Sequence, residues 1–137
     1  MASTLRWSVR LPAEFGHADI TPELEKFVSG SGVKSGTLTV ELIGSTGAIT
    51  TIEYEPGALA DLRRALDLLA PPDGDYAHNA RWGDGNGFSH VRSALLKTSL
   101  SLPLIDGKLA LGTWQQVVAI NLDNRARERE LVAVLVG

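Results

Sequence analysis

Thr37-Leu-Thr-Val-Glu-Leu-Ile43, Gly44-Ser-Thr-Gly47, Ala48-Ile-Thr-Thr-Ile-Glu-Tyr54 is the stretch that decides the fold. Leu38, Val40 and Leu42 alternate with Thr37, Thr39 and Glu41, the period-two pattern of a strand with one buried face. Gly44-Ser45-Thr46-Gly47 interrupts it. The β-branched run Ile49, Thr50, Thr51 and Ile52 then resumes a strand that reaches Tyr54. The interruption reads either as a plain turn or bulge or as a loop that cradles an anion. It lacks the lysine and the Gly-Lys-Ser/Thr ending of a nucleotide P-loop.

Working outward, Leu5 to Leu11 alternates in the same way, and Pro12 ends that strand. Thr21 followed by Pro22 reads as a helix N-cap with proline at the first helical position, and Leu24, Phe27 and Val28 form its apolar stripe up to Gly30 and Gly32. After Glu53-Tyr54-Glu55-Pro56-Gly57, a second helix carries Leu59, Leu62, Leu66 and Leu69 as a core stripe until Pro71-Pro72. A third runs from about Asn86 to Lys97, with Val91 and Leu95 expected inward and His90 in its first turn. Asp106-Gly107 joins strands over Leu102–Leu104 and Leu109–Leu111, and Asp123-Asn124 precedes a strand from Leu131 to Val136. That last run is apolar without alternation, so it is expected to be covered on both faces, by the core and by another subunit. These readings combine into one α+β domain with a mixed or antiparallel sheet and about three helices, near 21–30, 57–70 and 87–97.

The chain has 137 residues, the size of one domain. Its 44% hydrophobic and 21% charged residues are ordinary for a globular protein, and no segment is apolar and long enough to suggest a membrane span. A formal charge of -3 argues against a nucleic-acid partner. The densest basic run, Arg125, Arg127 and Arg129, is interrupted by Glu128 and Glu130. There is no cysteine, which excludes disulfides and thiolate chemistry, and no charged-then-apolar leader is evident, so a cytoplasmic location is expected.

Two of the three histidines fall in Tyr76 to His90, a predicted loop that also holds Asp84, Asn79, Asn86 and three glycines. Loops this rich in proton-transfer and ligand groups are where sites are built. His78, Asp84 and His90 are competent ligands for a divalent ion such as zinc or magnesium, although their spacing matches no zinc signature. Asp84-Gly-Asn86-Gly begins like a calcium loop but has Phe88 at the third oxygen position and no glutamate at the twelfth. The two histidines are equally readable as acid–base groups. A Ser-His-Asp mechanism has no nucleophile elbow to support it. His17, by contrast, reads as a surface histidine.

Ile49 to Gly57, Tyr76-x-His78-Asn79, Gly85-Asn86-Gly87-x-Ser89-His90, Leu96, and Asp106-Gly107-Lys108-Leu109-Ala110-Leu111-Gly112-Thr113-Trp114-Gln115-Gln116 together resemble the YjbQ family, over essentially the whole chain. That family includes proteins described as secondary thiamine-phosphate synthases. The resemblance implies a compact α+β domain in a homotrimer, with polar pockets holding histidines commonly read as metal ligands, a glutamate and the Trp-Gln segment. His78 and His90 match two family histidines, and Glu53 matches the glutamate. Gly44 falls where many members carry histidine, and Phe88 where some do. A two-histidine metal site would therefore need Asp84, Glu53, water or a neighbouring subunit to complete its shell.

What the resemblance implies for activity is the coupling of a pyrimidine diphosphate to a thiazole phosphate with loss of diphosphate, at low activity. Glu53, His78, His90 and Gln115 are the expected catalytic residues. Ser45, Thr46 and Asn86 are expected to bind the phosphorylated substrate, with Trp114 stacking on its ring and Gln115 on the ring edge. The alternative is a non-catalytic homotrimer that binds a small anion or a metal. A hydrolase using a metal-bound water is a third reading.

Overall fold

A strand covered on both faces needs apolar residues at successive positions, and Gln116–Asn121 meets that requirement with Val117, Val118, Ala119 and Ile120. All four are fully buried. Val117 and Ala119 face one hydrophobic core, and Val118 and Ile120 face a second. In the computed structural model, which describes residues 2–137, this strand is the layer between a five-stranded sheet and the helices Pro56–Leu69 and Gly87–Leu96, while the helix Thr21–Ser31 packs into the core of that sheet.

In chain order the elements are β1 (Ala2–Leu11), β2 (Gly16–Asp19), α1 (Thr21–Ser31), β3 (Gly36–Leu42), β4 (Gly47–Ile52), α2 (Pro56–Leu69), α3 (Ala77–Trp82), α4 (Gly87–Leu96), β5 (Ser99–Ile105), β6 (Lys108–Leu109), β7 (Gln116–Asn121) and β8 (Arg127–Val136). The larger sheet has the order β1-β8-β3-β5-β6 and the smaller β2-β7-β4. Every pairing is antiparallel. The fold is thus a single α+β domain built on two curled antiparallel sheets. Leu38, Val40 and Leu42 of β3 and Ile49 of β4 lie in the same core, although the two strands belong to different sheets. Gly44-Ser45-Thr46 is therefore a crossing between sheets and not the turn of a hairpin.

Several local expectations change. Four helices form where about three were expected, because Ala77–Trp82 closes a short helix inside the long loop and Gly83 ends it at φ 72°. Thr21 lies within α1 instead of capping it. Its backbone N–H bonds to Asp19 Oδ1 at 3.0 Å, and its hydroxyl accepts from Val117 N at 2.8 Å. Glu55 caps α2, accepting from Gly57 N and Ala58 N.

Leu69 is 71% exposed because ten residues along a helix from Leu59 bring it about 80° round from that position. Val91 and Leu95 also face out, at 40% and 55% exposure. The inward face of α4 is Phe88, Ser89, Arg92 and Ser93. It docks through polar anchors: Arg92 donates to Ala70 O and Asp67, and Ser93 donates to Gly47 O at 2.6 Å. Within its own chain, β8 is covered on one face. Leu131, Ala133 and Leu135 are buried, while Val132, Val134 and Val136 point to the opposite face and keep contact with solvent. Among the described residues no helix is long and apolar enough to cross a membrane.

Ile120→Ala should cost about 2–5 kcal/mol, because the β7 layer has little room to collapse around a cavity. Leu69→Ala should change stability by less than about 0.5 kcal/mol. Denaturant midpoints of the two variants test this, and equal losses would contradict the layer assignment.

Candidate functional site

Three short links between the sheets meet at one corner: residues 12–15 after β1, 43–46 after β3, and 122–126 after β7. Backbone groups leaving a ladder need partners, and here side chains of β7, β8 and the links supply them. Asn121 Nδ2 donates to Pro12 O at 2.9 Å and Arg125 O at 3.0 Å, while Leu122 N bonds to Thr46 O. Arg129 Nη2 donates to Thr46 O (2.9 Å), Thr46 Oγ1 (2.7 Å) and Asn121 Oδ1 (2.6 Å). Thr46 Oγ1 donates to Asp123 Oδ2 at 3.0 Å, and Arg127 pairs with the same oxygen at 3.0 Å.

Thr46, Asn121, Asp123 and Arg129 are all buried. Burial works to raise the pKa of Asp123, but the bonds from Thr46 and Asn124 N and the charge of Arg127 outweigh it and hold the carboxyl below its ordinary value. Burial also pushes the Arg129 guanidinium below the usual arginine range, which the charge of Asp123 opposes.

The histidine loop is fastened to this corner. Asn124 Nδ2 donates to Asp84 O at 2.9 Å. Asn86 lies between two carboxylates, and the amide orientation that suits both its ends places nitrogen 3.0 Å from Asp84 Oδ1. Asn79 Oδ1 accepts from Gly87 N at the start of α4. This bracing stacks His78 of α3 on His90 of α4, with ring centroids 4.4 Å apart and planes tilted by 39°. Asp84 Oδ1 is 3.6 Å from His78 Nδ1, which is buried and has no hydrogen-bond partner.

On its other side His90 lines an open cavity of about 340 Å³ with Gly44, Ser45, Ser93, Lys97 and Thr98. Lys97 has φ 76° and ψ 160°, a conformation that side-chain-bearing residues avoid. Its N–H bonds to Ser93 O and its carbonyl to Ile49 N, so α4 and β4 together hold it there.

The expected site residues divide between two ends of the β4–β7 ladder. His78, Asp84, His90 and Ser45 gather at the Gly47 end. Thr46 and Asn86 lie there too, but buried beneath it. Both were expected to touch a ligand, and their polar atoms are instead engaged with Asp123, Arg129 and Asp84.

Glu53, Trp114 and Gln115 lie at the Ile52 end, roughly 23 Å away over the seven residues from Thr46 to Glu53. Glu53 and Trp114 border a cavity of about 330 Å³, and Trp114 is 72% exposed. Gln115 donates to Thr51 Oγ1, accepts from Gly112 N, and borders a separate cavity of about 410 Å³ with Thr21, Glu25 and Lys108. His17 is paired with Tyr54 OH at 2.9 Å.

Among the described residues no group of three or more His, Cys, Asp or Glu side chains is arranged to hold a metal ion. Gly44 and Phe88 contribute no ligand. The residues that sequence reasoning missed are Lys97, Asn121, Asp123 and Arg129. For Arg129 a signal existed, because it shares the parity of Leu131, Ala133 and Leu135 in one strand and so points to the core face.

The fold and this corner define a small α+β protein of two interleaved antiparallel sheets, with paired histidines where the chain crosses between them. A family model described as "UPF0047 protein YjbQ-like" matches residues 6–137, and the chain belongs to that family. A UPF0047 protein of Methanothermobacter thermautotrophicus is 38% identical over 116 residues, covering 85% of this chain and 80% of its own. The UPF0047 protein YjbQ of Salmonella typhimurium is 32% identical, covering 86% of each. Among solved structures, a hypothetical protein from Aeropyrum pernix K1 superposes with a TM-score of 0.90 at 28% identity, over 98% of both chains. A YbjQ-like protein of unknown function from Sulfolobus solfataricus gives 0.88 at 27%, over 100% of this chain and 99% of that one.

Because the folded state holds Asp123 below the ordinary aspartate value of 3.8, its contribution is complete above that pH and is lost as the pH falls through the folded value. Asp123→Asn should therefore lower stability at pH 7 by about 2–4 kcal/mol and flatten the acid limb below pH 4. Thermal melts from pH 2 to 8 check this, and an unchanged acid limb in the variant would rule it out.

Proposed function

We propose that the chain binds a small phosphorylated compound in the Ser45–His90 cavity and that its chemistry is of the thiamine-phosphate synthase kind, running slowly. The observation that carries the reading is the stacked pair of imidazoles, one of which shares a cavity with the Ser45 hydroxyl and the Lys97 side chain. In the reaction a pyrimidine methylene carbon loses its bond to diphosphate, which leaves with the electron pair, and gains a bond to the thiazole nitrogen. No oxidant or reductant is needed. The demand on the protein is to stabilise the departing anion, which hydroxyl, ammonium and imidazole N–H donors do in a preorganised site. In this reading His90 hydrogen-bonds the anion, and the carboxylate of Asp84, 3.6 Å from His78 Nδ1, lies behind the stacked pair.

A homotrimer belongs to this reading. Val132, Val134 and Val136 with Thr37 and Thr39 form an uncharged patch at one end of the outer face of the larger sheet, bordered by Arg6 and Glu41, and a closed cyclic assembly covers such a patch. Since Trp114 and Gln115 lie far from their own subunit's histidines, a joint action on one substrate would join neighbouring subunits. A second reading, a divalent ion at His78 with His90 and Asp84, draws on the buried and unpartnered Nδ1 of His78. It would need water or another subunit to complete the shell.

A product assay with both thiamine precursors, with and without chelator, tests the proposal. Slow turnover should survive chelation and fall about 10²-fold in His90→Ala. Unchanged turnover in that variant would remove His90 from the mechanism, and rapid turnover abolished by chelator would favour the metal. Ligand binding without product would leave the non-catalytic binder, and light scattering showing a monomer would remove the trimer.

A further inference from the structure

Arg129 is 6% exposed, so its charge sits inside the corner, and its three hydrogen bonds all leave from Nη2. Nε is sealed from solvent with no partner. Nη1 makes no hydrogen bond to the described residues, and unlike Nε it is not sealed off. It lies directly beneath Gly44: a Cβ added there would come within 2.9 Å of Nη1 and meet nothing else at close range. Gly44 has φ 137°, which also disfavours a side chain, and it lines the cavity together with Ser45, His90 and Lys97.

The charges do not cancel. Arg127 and Arg129 face a single carboxylate, Asp123, whose oxygens are already engaged with Thr46, Arg127 and Asn124 N. Asp84 is turned toward His78 and Asn86 on the far side of the histidine pair. One positive charge is thus left beside a gap that only a glycine leaves open. A guanidinium fixed through one nitrogen, with the other free, suits a tetrahedral oxyanion, because its remaining N–H groups keep a set direction.

We propose that Arg129 is the floor of an anion site entered through Gly44, and that the site takes a terminal phosphate group. Nη1 donates to one oxygen from below, while Ser45, His90 and Lys97 supply donors from the rim. The proposal rests on the phosphorylated-ligand reading above and assigns its anchoring charge. The guanidinium stays protonated, and no bond is made or broken at it.

The test is titration of the protein with inorganic phosphate and with pyrophosphate, followed by calorimetry and by ³¹P line broadening, on the parent, Gly44→Ala and Arg129→Lys. Loss of one charge-assisted contact should weaken binding at least about tenfold in Gly44→Ala, whose melting temperature reports whether the fold is intact. Arg129→Lys, which cannot both hold Thr46 and reach beneath Gly44, should lose binding to a similar degree. Phosphate affinity unchanged in a folded Gly44→Ala, or no phosphate binding by the parent, overturns the proposal. The thiamine-precursor assay on the same Gly44→Ala separates the two ideas. Product formed with an unchanged KM would overturn the anion floor and leave the synthase reading standing. Gly44-dependent phosphate binding without any product would support the floor and remove the synthase reading.

Discussion

Burying an arginine at the junction of three chain crossings is the constraint on which this structure depends. The links after β1, β3 and β7 each take backbone groups out of a ladder at one place, and the carbonyls that turn inward there meet the buried side chains of Asn121 and Arg129. Unpaired, each such group would cost on the order of 1–3 kcal/mol. Asn121 and Arg129 between them satisfy carbonyls of Pro12, Thr46 and Arg125, and Asp123 then meets the hydroxyl of Thr46 and the guanidinium of Arg127. The network works as a unit, so removal of one member leaves a charge or a carbonyl without its partner.

This corner also explains where the candidate site lies. In the loop from Tyr76 to His90 Phe88 is buried, but Trp82 is exposed and α3 has no buried residue. It is positioned by polar ties instead: Asn124 to Asp84, Asn86 to the same residue, and Asn79 to the start of α4. Below it, α4 is held by Arg92 and Ser93 against α2 and β4. Two imidazoles twelve residues apart thereby stack within van der Waals range, and the unusual backbone of Lys97 is held by the same pair of elements. A site built on a corner of this kind inherits its rigidity from the crossings, which suits the recognition of an anion by fixed donors.

Much of the architecture was legible in the chain. The alternation of Leu38, Val40 and Leu42, the Asp106-Gly107 turn and the Pro56 start of α2 all correspond to observed elements, because short-range periodicity and turn chemistry act within a few residues. Readings failed where burial depends on a partner that is distant in sequence. Val91 and Leu95 looked like the inner face of a helix by hydrophobicity. The face that docks is chosen by Arg92 and Ser93, whose partners Asp67, Ala70 and Gly47 lie elsewhere in the chain. Likewise the strand that the chain itself covers on both faces is β7, whose neighbours come from both ends of the sequence.

The sequence by itself determined that this is one α+β domain, that a polar loop holds two histidines, and that glycine occupies position 44. Each is a matter of composition, local period or residue identity. Only the tertiary structure decided that Gly44–Thr46 is a crossing between sheets and that Thr46 and Asn86 are framework. It alone also set Glu53 and Trp114 at the opposite end of a strand from His90. The physical reason is that pairing partners as far apart in sequence as Ala2 and Val136 fix these positions through hydrogen bonds and burial. No window along the chain contains both members of such a pair.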